Sequence, residues 1–301
     1  MKSSKKRWLI TAAVLMGAGA LIFLGVMTAL GFDFMKLSTV AFENNTYTVS
    51  EPFQSITIDD RTTDIRILPS EDGSCKLVCH EQQKLKHRAT VQNGTLTVET
   101  VDTRAWYDYV GMNFKRATMT VYLPQESYAH LTVLTATGDL YLAEGFTFET
   151  LKVIGNTGDV TCLAAVTHSI NAELDTGDLL IDTDAAVEAV YLETDTGNIS
   201  LKNLRCERLK ASSDTGELTL TNVLSSDFFT LETDTGDITL DRCDAERIHA
   251  ESDTGDICGS LLTEKLFIAE SDTGHVRVPQ TNGGGRCELE TDTGDIEIRI
   301  A

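Results

Sequence analysis

Basic residues are scarce in this chain. It has 25 Lys and Arg against 46 Asp and Glu, a formal net charge of −21 over 301 residues. A nucleic-acid-binding surface needs a basic face to neutralise phosphates, so this balance argues against DNA and RNA as partners. Divalent cations or basic proteins suit such a surface better.

Proline and a regular set of cysteines are also lacking. Only 4 Pro occur beside 22 Gly, and Thr-rich runs separate the glycines, a pattern that predicts an all-β chain. The 7 Cys are an odd number at irregular spacing, which argues against a disulfide framework. We expect them to be mainly small buried hydrophobes: Cys75, Cys79, Cys162, Cys206, Cys243, Cys258 and Cys287.

Sequence signatures of zinc and haem are absent. The His residues form no HExxH motif, and CKLVCH, residues 75–80, falls one residue outside the usual haem-attachment spacing. Strand alternation places Cys75, Leu77 and Cys79 on one face, which favours simple packing. His249 and His275 occupy outward-facing positions, so we expect no zinc site and no cluster of metal ligands that includes histidine.

Charge is missing altogether from Trp8 to Phe32. As a helix this stretch would span about 37 Å, more than the ~30 Å hydrocarbon core of a bilayer. The cations in residues 1–7 predict a cytoplasmic basic tail, residues 8–32 a transmembrane helix and residues 33–52 a juxtamembrane linker, with the remainder outside the cell membrane. Cleavage as a signal peptide near Ala18-Gly19-Ala20 is the alternative. It would leave a further apolar run exposed, so we favour an uncleaved single-pass anchor.

Thr-Gly pairs recur through the rest of the chain every 19 or 20 residues. Apolar and polar residues alternate on both sides of each pair, so each unit is predicted to be strand, turn, strand. One unit cannot bury its apolar face, but stacked units form a continuous core. The prediction is an all-β, single-stranded β-solenoid, or β-helix, with turn glycines at Gly138, Gly158, Gly177, Gly197, Gly216, Gly236, Gly255, Gly274 and Gly294.

The repeat sets the predicted boundaries of this solenoid. Residues 131–301 hold the nine regular rungs, and residues 53–130 are expected to be degenerate rungs. ITIDDRTTDIRI, residues 56–67, fits the same template with Thr63 in place of glycine. An apolar residue near the middle of each return segment, such as Leu204 or Leu262, is predicted to be buried. The last unit ends at Ala301 without a cap, so its free edge is a candidate surface for self-association.

The repeated Asp-Thr-Gly tripeptide also occurs at the catalytic aspartate of pepsin-like proteases. That chemistry needs two carboxylates about 3 Å apart that share one proton, and nothing here singles out one pair of copies. We therefore expect structural roles: the Gly at positive φ in a turn, and the Asp accepting a backbone N–H. The Thr of the motif and the Thr or Ser two residues earlier are expected to point inward.

Stacked carboxylates in neighbouring rungs repel one another, and calcium would relieve that repulsion. The glycine-rich nonapeptide of calcium-binding β-rolls is absent, so calcium is an alternative to a metal-free solenoid. It would make the domain a calcium-stiffened surface spacer. The candidate oxygen ligands are Asp175, Asp178, Asp195, Asp234, Asp237, Asp253, Asp256, Asp292 and Asp295.

One irregular segment, RAWYDYVGMNF at residues 104–114, interrupts the pattern. It contains Trp106, Tyr107, Tyr109 and Phe114, which are candidates for contact with a sugar or a protein partner. Because aromatic side chains usually bury, we expect the segment to plug the N-terminal end of the solenoid.

A membrane helix followed by ITIDD…TTDIRILPSEDG and by SDTGDI-type rungs resembles the bacterial putative-adhesin family of β-strand-repeat proteins. This is a domain of unknown function that is grouped with toast-rack-type envelope domains. The resemblance covers roughly residues 53–301. It implies a membrane-anchored or surface β-solenoid without catalytic residues, associated with adhesion or cell-envelope stress.

We interpret the chain as a non-catalytic adhesin or cell-envelope scaffold or stress-related protein that acts through contacts with envelope proteins or a surface ligand. The alternative is a polysaccharide lyase or hydrolase on a β-helix. Such an enzyme breaks its repeat at one place to gather Asp, Arg or Lys on a rung face. A groove shared by the segment at residues 104–114 and a non-repeated carboxylate pair would favour the enzyme.

The repeat predicts different effects for two neighbouring substitutions. Gly236→Val should destabilise its corner, because a β-branched residue resists positive φ. Asp234→Asn keeps a turn-compatible side chain and should be tolerated. Urea unfolding of both variants beside the parent chain measures the two free-energy changes. A large loss of stability from Asp234→Asn alone would contradict the structural role of the aspartate and favour a bound metal.

Overall fold

The structure is a computed structural model that describes residues 2–33, 36, 38, 40–110 and 115–301. Within these residues, helix α1 (Lys2–Ala29) precedes a series of strands, and a short 3-10 helix (Trp106–Val110) joins two of them. The strands are β1 (Phe42–Val49), β2 (Ser55–Asp60), β3 (Thr63–Pro69), β4 (Cys75–Gln82), β5 (Leu85–Gln92), β6 (Thr95–Asp102), β7 (Ala117–Leu123), β8 (Ser127–Thr137), β9 (Leu140–Leu142), β10 (Thr147–Thr157), β11 (Val160–Cys162), β12 (Ala165–Thr176), β13 (Leu179–Asp182), β14 (Ala186–Thr196), β15 (Ile199–Lys202), β16 (Arg205–Thr215), β17 (Leu218–Thr221), β18 (Leu224–Thr235), β19 (Ile238–Cys243), β20 (Arg247–Thr254), β21 (Ile257–Leu261), β22 (Lys265–Thr273), β23 (Val276–Arg277), β24 (Gly285–Thr293) and β25 (Ile296–Ile300).

Helix α1 is long and apolar enough to cross a membrane. Its apolar part, Arg7–Ala29, has 23 residues with a mean hydropathy of 2.4. The helix ends three residues before the predicted limit, because Gly31 and Phe32 adopt positive φ angles of 67° and 59°. The basic residues before Arg7 belong to the same helix. A signal sequence has the same length and composition.

The Thr-Gly units stack into the predicted β-solenoid. In each unit a long strand leads to the glycine corner and a short strand leaves it. Each strand pairs in parallel with its counterpart in the neighbouring unit, as Leu131 does with Leu151. Strands β2 and β3 pair with β8 and β9 in the same register, with Ile65 opposite Leu140. Residues 56–67 are therefore the degenerate rung that the sequence predicts.

The interior is one continuous apolar core that runs along the solenoid axis from Ile56 to Ile298. The alternating columns fill it, and every cysteine except Cys258 is buried in it, which confirms their expected role for all but that one. Burial raises the pKa of the Cys162 thiol to about 12, so it is a poor nucleophile. Leu262 is 43% exposed, contrary to prediction, and Leu261 takes the inward position in its place.

The N-terminal end is closed by antiparallel strands, where a linker and further rungs were expected. Strands β6 and β7 form the first rung beneath β2 and β3. Beyond it, β5 pairs antiparallel with β6, and β4 pairs antiparallel with β7. Strand β1, at residues 42–49 of the expected linker, pairs antiparallel with β4. Residues 75–92 thus form a cap over the first rung.

The C-terminal end departs from chain order. Strand β24 lies between β20 and β22, and β25 lies between β21 and β23. The last unit of the sequence is therefore the penultimate rung in space. The free edge that the sequence placed at the final unit belongs instead to β22 and β23, at residues 265–277.

Glycines and one buried ion pair permit this insertion. A Cβ atom on Gly284 would lie 1.8 Å from the Glu264 carbonyl oxygen, and one on Gly285 would lie 2.0 Å from that of Glu246. The run Gly283-Gly284-Gly285 therefore lets β24 enter between two backbones. Strand β22, which lies beyond β24, is held at its first residue by the buried Lys265, whose ammonium pairs with Asp244.

The glycine column is required by close backbone approach more than by turn geometry. A Cβ atom on Gly236 would lie 2.0 Å from the Gly216 carbonyl oxygen, far inside van der Waals contact. Gly216 makes the same approach, 1.9 Å, to Gly197 without a positive φ, whereas Gly236 has a φ of 156°. We therefore still expect Gly236→Val to destabilise the protein. The close backbone contact raises the expected loss in free energy of unfolding to more than about 4 kcal/mol.

Hydroxyl groups tie each corner to the next one. In six units the Thr or Ser two residues before the motif Thr donates its hydroxyl to the glycine carbonyl of a neighbouring rung. Ser252, for example, donates to Gly236 at 3.0 Å, and Thr233 donates to Gly216 at 3.1 Å. The Thr of the motif itself, such as Thr235, is exposed, contrary to prediction, because the inward–outward alternation of the strand breaks after Thr233 and both Asp234 and Thr235 face solvent. One of the two predicted hydroxyl columns therefore stabilises the stack.

The exchanged order of the last two units can be tested by cross-linking. Cys258 lies opposite Glu297 on β25, so Glu297→Cys should form a disulfide with Cys258 under mild oxidation. Arg277→Cys is the matched control, because Arg277 pairs with Glu297 and lies about 9.6 Å, two strand spacings, from Cys258. Peptide mapping by mass spectrometry reads the result. Cross-linking of the Arg277→Cys variant, and not of the Glu297→Cys variant, would show that the units stack in chain order.

Candidate functional site

A cleft of about 650 Å³ opens at the N-terminal end of the row of glycine corners. The first corners of the repeat form one wall, and the segment between β6 and β7 forms the other. Asp60, Thr63, His87 and Thr100 line its floor. Four cations, an unusual number for so acidic a chain, line this N-terminal cleft: Arg61, Arg104, Lys115 and Arg116.

On the floor of the cleft, ionisable side chains take the place of the buried Thr and Ser hydroxyls of the later rungs. Asp60 pairs with Thr135 of β8, so it occupies the position at which later rungs bury Thr or Ser. His87 on β5 lies opposite Thr100 on β6, and its ring points into the end of this column. Glu81 lies on the inward face of β4, where it is fully buried. Three ionisable side chains therefore meet beneath the first complete corner.

His87 is held between two carboxylates. Its Nε2 lies 2.5 Å from Asp60 Oδ2, and its Nδ1 lies 2.5 Å from Glu81 Oε2. Burial opposes the charge on the ring, but the hydrogen bonds and the nearby carboxylate of Asp60 raise the pKa of His87. Burial likewise opposes ionisation of Asp60, yet His87 and the backbone N–H of Thr62 lower its pKa. The group is a buried imidazolium paired with carboxylates.

The second oxygen of Glu81 is also fixed. Tyr47 donates its hydroxyl to Oε1 at 2.6 Å, and Asn45 donates its amide to the same oxygen at 2.6 Å. Burial opposes ionisation of Glu81, but these donors and His87 lower its pKa. Cys79 lies two residues before Glu81 on the same inward face and is fully buried. One ligand atom each from Cys79, Glu81 and His87 lie within 4.8 Å of one another.

The proximity of Cys79, Glu81 and His87 differs from the expectation that no histidine lies in a cluster of potential metal ligands. The sequence separates His87 from CKLVCH by a hairpin, and only the pairing of β4 and β5 with β7 and β6 brings them together. The predicted packing role of Cys75, Leu77 and Cys79 is confirmed, since all three are buried. The missed signal was Glu81, a charged residue in the inward register of an apolar strand.

The aromatic segment does not plug the solenoid. Trp106 is 79% exposed, Tyr107 59% and Tyr109 60%, and Phe114 lies outside the described residues. The segment is nevertheless fixed: Lys84 Nζ lies 2.7 Å from Asp108 Oδ1, and the Tyr109 hydroxyl donates to Asp102 Oδ2 at 2.9 Å. It takes the place of a glycine corner in the first rung, and Arg104, which precedes the aromatic residues, lines the N-terminal cleft.

The acidic columns lie on the outside of the corners. Asp175, Asp195, Asp234, Asp253 and Asp292, before the motif Thr, are exposed. Asp178, Asp237, Asp256 and Asp295, after the glycine, form a ladder in which each carboxylate accepts the backbone N–H of the corresponding residue one rung further on. Within the described residues, neither column contains three or more potential ligand side chains close enough together to hold one metal ion. The ladder gives the second column a structural role without calcium.

The N-terminal cleft does bring carboxylates and the irregular segment into one groove, the feature that would favour an enzyme. Asp60 and Asp102 both line it. The side chain and the backbone N–H of Arg104 both donate hydrogen bonds to Asp102 and hold its pKa well below the usual range. The pKa of Asp60 is also lowered, by His87 and the backbone N–H of Thr62. A glycosidase general acid needs a raised pKa. A lyase base must accept a proton, which an imidazolium at His87 cannot do.

The fold and the cleft define a β-solenoid that presents a fixed aromatic segment at one end. The chain belongs to the toastrack family DUF4097, whose model matches residues 53–301. This confirms the resemblance found in the sequence. No curated protein matches the chain.

Solved structures resemble this chain at low sequence identity. A putative adhesin from Parabacteroides merdae ATCC 43184 is 13% identical over 87% of this chain and 98% of that one, with a TM-score of 0.51. A putative adhesin from Bacteroides fragilis NCTC 9343 is 16% identical over 86% and 97%, with a TM-score of 0.47. A putative lipid binding protein from Parabacteroides distasonis ATCC 8503 is 11% identical over 87% and 98%, with a TM-score of 0.37.

Proposed function

We propose that this protein is a membrane-anchored, non-catalytic adhesin or cell-envelope scaffold that binds its partner through the aromatic segment at residues 104–110. Helix α1 would be a single-pass anchor with its basic N-terminus in the cytoplasm, and the solenoid would lie outside. The names of the similar solved proteins, putative adhesins, agree with such a role.

The observation that carries this proposal is the exposure of Trp106, Tyr107 and Tyr109 in a fixed conformation. Exposed aromatic side chains are costly unless they serve a contact, and they are enriched among the residues that dominate binding energy. Arg104 lies 4.6 Å from the Tyr109 ring and Lys84 5.5 Å from the Tyr107 ring, which holds both rings in place. A rigid surface loses little conformational entropy on binding.

A binding role also fits the chemistry of the cleft better than catalysis does. Asp60, Asp102 and His87 are paired, and their pKa values, lowered for the two aspartates and raised for the histidine, are not those of a general acid or base near neutral pH. Four aspartates line the cleft beside its four cations, and Arg104 and Arg116 pair with Asp102 and Asp64. The cleft can therefore offer a partner both hydrogen-bond donors and acceptors. Turnover of an acidic or neutral glycan by the full chain would overturn the non-catalytic part of the proposal.

Binding through the aromatic segment can be measured with the full chain in detergent micelles. Isolated cell-wall and membrane fractions, tested separately, should retain the parent chain. Trp106→Ala with Tyr107→Ala should weaken retention at least about tenfold, as expected for a pair of central aromatic contacts.

The matched control is Tyr191→Ala, which removes another exposed tyrosine, 44% accessible, from the middle of the solenoid. It should leave binding unchanged. Equal retention of the double variant and the parent would rule out this segment as the contact surface.

We also infer self-association through the free edge at residues 265–277. Leu266 and Ile268 point outward there and are half exposed, 51% and 50%. The two rungs beneath carry Arg286 and Glu288, then Arg247 and His249, at the same positions. Apolar side chains therefore replace polar ones at the rung whose backbone groups lack a neighbouring strand, a combination that suits pairing with a second copy.

Sedimentation velocity of the full chain in detergent micelles tests this edge. The parent should form dimers at micromolar concentration, and Leu266→Ser with Ile268→Ser should shift the chain to monomer. Val78→Thr, at an exposed apolar position of the opposite end, is the control and should keep the dimer. A monomeric parent, or a dimer that survives the double substitution, would contradict the proposal.

A further inference from the structure

The buried cluster beneath the N-terminal cleft carries an inference that is independent of adhesion. We propose that Cys79, Glu81 and His87 bind one zinc-like transition-metal ion. The three side chains supply a sulfur, an oxygen and a nitrogen, which are the ligand types of zinc in proteins. They lie on two neighbouring strands, β4 and β5, joined by a tight turn, so the backbone holds the three donors in place.

The geometry of the cluster matches the needs of such a site. One ligand atom from each residue lies within 4.8 Å of the other two, and ligands of a tetrahedral zinc ion stand roughly 3.3–3.8 Å apart for bonds of 2.0–2.3 Å. His87 Nδ1 and Glu81 Oε2, at 2.5 Å, now share a proton. A metal ion would replace that proton and move these two atoms apart by about 1 Å.

The surrounding residues form the outer shell that a metal-binding histidine requires. Asp60 accepts a hydrogen bond from the other ring nitrogen, Nε2, at 2.5 Å, which leaves Nδ1 as the atom for a metal. Carboxylate–histidine–metal arrangements of this kind fix the tautomer and the ring orientation. Tyr47 and Asn45 hold Oε1 of Glu81. Oε2 accepts the backbone N–H of His87 at 2.7 Å, which keeps this oxygen beside Nδ1, where it can face the ion.

The ligand set selects the kind of metal. Thiolate and imidazole are soft or borderline donors that suit zinc, cobalt or copper, whereas calcium and magnesium take oxygen ligands. Three protein ligands leave one position of a tetrahedral ion for water or for an atom of a bound molecule. His87 lines the N-terminal cleft, so the ion can enter from that side.

Cobalt(II) provides a direct test with the full chain in detergent micelles, purified with chelator and without a histidine tag. One equivalent should bind and give the near-ultraviolet charge-transfer band of a cobalt–thiolate bond. Zinc(II) should displace cobalt and raise the melting temperature, while calcium at the same concentration should not. Asp60→Asn should weaken cobalt binding by about 10- to 100-fold, as loss of an outer-shell carboxylate does elsewhere.

Two matched variants identify the ligand. Cys79→Ala should abolish the charge-transfer band. Cys75→Ala removes a buried cysteine from the same face of β4 and should retain it. Glu81→Gln, which keeps the shape of the side chain, should weaken binding even if Cys79→Ala fails to fold. Absence of saturable binding by the parent chain, or an unchanged cobalt band in Cys79→Ala, would overturn the proposal.

Discussion

The approach of one backbone to the next at the glycine corners is the constraint on which the rest of this structure depends. A methyl group on most of these glycines would fall about 2 Å from a carbonyl oxygen of the adjacent rung. The units therefore stack in a single register, with glycine above glycine. That register aligns the apolar columns inside, the hydroxyls that donate to the corner carbonyls, and the aspartates that bridge the outside of the corners.

The N-terminal cleft arises where this constraint is relaxed. The rung of β2 and β3 has Thr63 at the corner position, and the rung beneath it replaces the corner with the longer segment that carries Trp106. Gly138 still approaches the Thr63 carbonyl closely, but among the described residues no glycine corner lies beneath Thr63. A cavity opens there, and the buried hydroxyl column ends in Asp60, His87 and Glu81. The same departure from the repeat therefore creates the exposed aromatic surface and the buried charged cluster.

The sequence was sufficient for the architecture and insufficient for the ends. Periodicity predicted the rungs, the buried cysteines and the rung at residues 56–67, because stacking repeats the same local interaction. It failed for the antiparallel cap, the order of the last two units and the contacts of His87, which depend on pairing between distant segments. The run Gly283-Gly284-Gly285 and the inward position of Glu81 were local signs of these features. Neither specifies its partner without the fold.

The inserted final unit makes completion of the solenoid depend on the last part of the chain. Strands β22 and β23 are made before β24 and β25, yet their parallel partners are β24 and β25. When β22 and β23 are made, the edge of β20 and β21 is still free, and the native order is reached only when β24 and β25 take that edge instead. The segment at residues 265–277 therefore reaches its place in the fold only by pairing with strands that follow it in the sequence, so early pairing in chain order is a competing arrangement that the fold has to avoid.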